Sequence, residues 1–159
     1  KSLRKHIKSC DLICFLSADF NQDVSNLPPL IIHLTFGFWF NQQFIFPPNI
    51  QYLKLDSGVQ QIIDYLPNSI VELELGRYFN SSMDNLPTSI KKLVIHKYNY
   101  NFNKNLNCLP NFLEELHLNC NYKNRILSIP SNLKKLICHY DYPYKNDFLI
   151  NNVNISVYA

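Results

Sequence analysis

Glu72-Leu73-Glu74-Leu75 alternates polar and apolar residues, and similar short alternations return along the chain. They include His33-Leu34-Thr35-Phe36, Tyr52-Leu53-Lys54-Leu55, Lys92-Leu93-Val94-Ile95 and Glu115-Leu116-His117-Leu118. A period of two marks a strand with one face buried and the other toward solvent. The pattern predicts strands at 13–17, 33–37, 52–56, 72–76, 92–96, 115–119 and 135–139. An eighth falls at 153–157, where Val153, Ile155 and Val157 alternate. Before six of the eight stands an apolar residue followed by proline, in Leu27-Pro28, Phe46-Pro47, Leu66-Pro67, Leu86-Pro87, Leu109-Pro110 and Ile129-Pro130. Proline cannot donate to a β-ladder, so each belongs in the turn that precedes a strand.

These prolines lie 19, 20, 20, 23 and 20 residues apart. A fixed period in this range carrying L-x-x-L-x-L predicts a leucine-rich-repeat solenoid. Eight parallel strands would form a curved sheet about 35–40 Å long. About twenty residues per repeat leave little room for a helix, so helix content should be low and the convex side mostly irregular. Inward positions should stack as three columns. The first runs through Cys10, Leu30, Ile50, Ile70, Ile90, Leu113 and Leu133. The second runs through Cys14, Leu34, Leu53, Leu73, Leu93, Leu116 and Leu136, and the third through Leu16, Phe36, Leu55, Leu75, Ile95, Leu118 and Cys138. The whole chain, 1–159, reads as one solenoid domain. Residues 1–26 form a degenerate first repeat, 27–142 the regular repeats and 143–159 a closing segment. The one longer repeat places its extra residues within 97–108, read as a protruding loop.

A net charge of +3 without a block of like charges gives no footprint for nucleic acid. No run approaches the roughly 18 apolar residues of a membrane helix. The five cysteines form no C-x-x-C pair, and together with the lack of a signal-peptide core they predict an intracellular, cytoplasmic protein with reduced thiols. The excess of Asn, Lys, Ile, Tyr and Phe follows AT-rich codons, which lowers the weight of aromatic richness as a functional signal.

The second half of the repeat carries a further signature. Phe20-Asn21, Phe40-Asn41, Phe79-Asn80 and Phe102-Asn103 follow the strands at nearly constant distance. Together with the Leu66–Gly76 segment, L-P-N-S-I-V-E-L-E-L-G, this resembles the FNIP repeat, a short leucine-rich-repeat-like unit of amoebal proteins and of giant viruses that infect amoebae. Val59-Gln60, Tyr122-Lys123 and Tyr142-Pro143 depart from the pair. The aromatic ring should fill the core beneath a turn, and the Asn should satisfy backbone groups there. The resemblance also implies a setting: FNIP repeats often follow an F-box, which would make the array the substrate-recognition part of an SCF-type ubiquitin ligase. The six residues before the first repeat are too few for an F-box. SCF components are therefore expected as partners only where an F-box precedes Lys1, in host cytoplasm if the protein is viral.

No G-x-S-x-G, Gly-rich phosphate loop or H-E-x-x-H occurs. No catalytic residue, cofactor or metal ligand is assigned, and the sequence reads as non-enzymatic. The candidate surface is the outward face of the strands, the concave face of the expected curved sheet, where solenoids often receive partners. Its residues are His33, Tyr52, Glu72, Lys92, Glu115 and Lys135 in one column, Lys54, Glu74 and His117 in the next, and His96 and His139 in a third that also holds Gly37, Gly76 and Asn119. Glu72, Lys92, Glu115 and Lys135 alternate in sign, which either neutralises charge within the sheet or forms a polar recognition strip. The expected function is a protein–protein interaction module. The alternative is a structural or scaffolding repeat protein that self-associates.

Overall fold

The computed structural model describes residues 13–42, 45–56 and 60–159. Cys10 and Val59, named above, lie outside these. Eight parallel strands pair in chain order into a single sheet: β1 (Ile13–Phe15), β2 (His33–Phe36), β3 (Tyr52–Leu55), β4 (Glu72–Leu75), β5 (Lys92–Ile95), β6 (Glu115–His117), β7 (Lys135–His139) and β8 (Asn154–Tyr158). The register stacks Leu34, Leu53, Leu73, Leu93, Leu116 and Leu136 on one another. Among the described residues no α-helix forms, and 3₁₀ turns occupy Gln60–Tyr65 and Lys145–Asn151.

The proline turn sets this geometry. The carbonyls of Pro28, Pro47, Pro67, Pro87, Pro110 and Pro130 accept the N–H three residues on, at 3.0–3.3 Å. Each turn drops the residue at that third position into the core, where Ile31, Ile50, Ile70, Ile90 and Leu113 are fully buried. The first column therefore holds Ile31, not Leu30, which is exposed. Pro28-Pro29-Leu30-Ile31 offers two adjacent apolar candidates, and the turn, counted from Pro28, selects the second. The other two columns are buried throughout, Cys14 and Cys138 included.

A second turn follows β1, β2, β4, β6 and β7. The carbonyls of Ser17, Gly37, Gly76, Asn119 and His139 accept the N–H of Phe20, Phe40, Phe79, Tyr122 and Tyr142 at 3.0–3.4 Å. Those rings and Phe102 are buried and pack in two runs, one of Phe20 and Phe40 with centroids 6.4 Å apart, the other with centroids 6.1 Å apart for Phe79–Phe102, 6.2 Å for Phe102–Tyr122 and 5.9 Å for the tilted pair Tyr122–Tyr142. Tyr122 and Tyr142 thus stand in for Phe. Asn21 and Asn103 accept from the backbone N–H of Asn41 and Lys123, one repeat further on, so the Asn of the pair joins rungs.

The long repeat is resolved by Asn99. Its N–H takes the turn bond to His96 that Phe makes elsewhere, and Phe102 follows three residues later. Its amide donates to the carbonyls of Gly76 and Phe79 at 2.9 and 2.8 Å and accepts from the N–H of Asn101 and Phe102. Asn99, Phe102 and Leu106 are all buried, so the segment 97–108 does not protrude as a free loop. Insertion of a polar turn into the core is tolerated because one side chain satisfies four backbone groups.

Candidate functional site

The outward face of the sheet is built by alternation alone: with the Leu columns inward, every second strand residue must face out. All eleven candidate residues sit half-buried, crowded by their neighbours on adjacent strands. Three local networks result. On β2–β4, the His33 ring stacks on Tyr52 at 5.3 Å, and Glu74 accepts from the Tyr52 hydroxyl at 2.7 Å and from Lys54 at 2.6 Å. Between β4 and β5, Lys92 pairs with Glu72 at 3.4 Å. Between β6 and β7, Glu115 meets His117 at 2.5 Å and Lys135 at 3.1 Å. Lys92 stands opposite Glu115 in register but turns to Glu72, so the alternating column resolves into two separate pairs.

Burial raises the Glu74 carboxyl, but the hydrogen bonds from Lys54 and Tyr52 more than offset this, and the group ends below the usual carboxylate range. Glu115 is lowered in the same way, by His117 and Lys135 against burial. Burial, followed by the Glu74 hydrogen bond, holds the Tyr52 hydroxyl protonated well above its ordinary range. The face is therefore charged but internally matched at neutral pH.

The third column departs from the expected face. Several strands end one residue earlier than predicted, at Phe36, Leu55, Leu75 and Ile95, and the third-column position opens the following turn. Gly37, Gly76 and Asn119 are consequently buried. A Cβ on Gly76 would lie 2.3 Å from the Asp56 carbonyl oxygen, and one on Gly37 would lie 2.3 Å from that of Ser17. Side chains at His96 and His139 still reach solvent, where His96 lies 5.9 Å from the Tyr98 ring and His139 is hydrogen-bonded to Asp141. Among the described residues, no three His, Cys, Asp or Glu side chains converge on one point.

Sequence reading passed over a second surface, the turns just beyond the strand ends. Phe38-Trp39, Arg77-Tyr78 and Lys97-Tyr98 occupy the same two positions after the third column. That periodic placement of large aromatics in a turn was the available signal.

These observations define a leucine-rich-repeat-type solenoid, a class whose repeats ordinarily present a surface to partners and are typically non-enzymatic. The chain belongs to the FNIP-repeat family, whose model matches residues 40–78, 60–98 and 102–141. Among solved structures it is similar to CroV588, described as a novel circular LRR protein, with a TM-score of 0.63 and 28% identity over 86% of this chain. The match spans 25% of that chain. No curated protein matches.

Proposed function

We propose that the chain is a non-enzymatic protein-interaction module whose concave sheet face receives a protein partner. The observation that carries this reading is the one-sided gathering of His33, Tyr52, Lys54, Glu72, Glu74, Lys92, Glu115, His117 and Lys135 on a rigid parallel sheet. Rigid strands hold these side chains at fixed spacing, so little ordering entropy is lost on binding. The finer role, substrate recognition within an F-box ubiquitin ligase working in the cytoplasm, is supported by family membership alone. Copurification of SCF components with the native full-length protein tests it. Reversal of Glu72, Glu74 and Glu115 to Lys tests the face itself. The expected outcome is loss of the partner with a preserved strand signal in circular dichroism. Unchanged binding by a folded triple variant overturns the proposal.

A second reading, end-to-end self-association, draws on one feature. Leu149, Ile150 and Val157 are exposed around β8, an edge strand of the described sheet. Mass by light scattering decides it: a mass rising with concentration favours self-association, and a constant monomer rejects it.

A further inference from the structure

The turns beyond β2, β4 and β5 carry a continuous aromatic and cationic ridge, separate from the concave face. The Trp39 ring meets Phe38 edge-on at 4.6 Å, and Phe38 meets Tyr78 at 5.0 Å. The Arg77 guanidinium then sits between two rings, 5.9 Å from Tyr78 and 5.8 Å from Tyr100. Tyr100 stacks on Tyr98 at 6.4 Å, and the Lys97 ammonium lies 4.6 Å over Tyr98. These rings are not core: Trp39 is 64% exposed, Tyr78 47%, Tyr98 44% and Tyr100 53%.

Two properties distinguish this ridge. Contiguous exposed aromatics mark interaction sites on soluble proteins, and Trp, Tyr and Arg are the residue types that dominate interface energetics. The charge is also unmatched. On the concave face Glu74, Glu72 and Glu115 each have a cationic partner, whereas among the described residues neither Arg77 nor Lys97 is ion-paired. Both cations are held by ring faces, which orients them while leaving their outer sides free for an anion.

We infer that this ridge docks an acidic, apolar-containing peptide segment of a partner protein. Carboxylates of that segment would reach Arg77 and Lys97, and its apolar side chains would cover Trp39 and Phe38. Single-stranded nucleic acid fits less well. Base stacking needs open ring faces and a row of cations along the phosphates. Here Tyr78, Tyr98 and Tyr100 already carry a cation of the protein itself, and the ridge supplies two cations.

Trp39 is the sole tryptophan of the chain, so its fluorescence reports on the ridge directly. The intact chain is titrated with a short peptide alternating Glu with Leu and Phe, with the same peptide carrying Lys for Glu, and with oligouridylate. The expected result is a saturable change in Trp39 emission with the acidic peptide alone. An R77E/K97E double variant should bind it about tenfold or more weakly, the scale of an interface hot spot, and R77Q should weaken it less without reversing charge. Absence of a saturable response to the acidic peptide overturns the inference. So do an equal response to the lysine peptide, preferential binding of the RNA, or undiminished binding by both variants.

Discussion

Glu74 shows how a single side chain belongs both to the surface and to the fold. Its carboxylate is held by Lys54 and the Tyr52 hydroxyl, and its pKa is lowered despite burial. A carboxyl depressed in the folded state contributes stability above its unfolded pKa of about 4.3, and that stability is lost as pH falls through the lower folded value. Glu74→Gln should therefore cost about 0.5–1 kcal/mol at pH 7, a cost that shrinks steadily as pH falls below about 4.3, read from urea denaturation across a series of pH values. Gly76 makes the converse case. Its φ is not left-handed, so glycine is needed for space rather than for backbone freedom. Gly76→Ala would drive a Cβ into the Asp56 backbone and should destabilise by about 1–3 kcal/mol, lowering the thermal midpoint without changing the strand signal.

At the scale of the element, each strand leans on its two neighbours and on little else. Leu73 is buried between Leu53 and Leu93 in the register. Leu73→Ala should cost about 2–5 kcal/mol. Hydrogen exchange should accelerate through β3–β5 while β7 and β8 keep their protection, because stability in a solenoid is a sum of neighbour terms. Every strand was legible in the sequence: period-two alternation marked all eight, and the proline spacing agreed with it for β2 to β7. So were two of the three core columns. The first slipped at Leu30 because adjacent apolar residues leave the phase open, and only the turn hydrogen bond to Pro28 settles it. The third outward column was misplaced at Gly37, Gly76 and Asn119 because alternation does not reveal where a strand bends away. Asn99 was invisible for another reason: a polar residue becomes a core residue only when the backbone around it supplies four partners. The eleven candidate residues sit half-buried, and the pairing of Lys92 with Glu72 rather than Glu115 is a choice of rotamer that no spacing encodes.

For the whole molecule, the stacked turns leave two surfaces of different character. The concave face is charged and internally matched, which favours specificity over raw affinity. The turn ridge is aromatic and positively unmatched, which favours hot-spot anchoring. The return segments between strands, by contrast, carry short polar bonds such as Asn49 to the Pro29 carbonyl and Asn132 to the Asn111 carbonyl, which tie one repeat to the next. The most direct measurement is site-specific photo-crosslinking in cells, with the reactive residue placed in turn at Glu72, Glu115, Asn85 and Ser128. The account predicts that the Glu72 and Glu115 positions on the sheet capture the same protein, identified by mass spectrometry, and that the exposed return-segment positions Asn85 and Ser128 do not. Equal capture from all four positions, or capture from Asn85 and Ser128 alone, would contradict a concave-face interaction module.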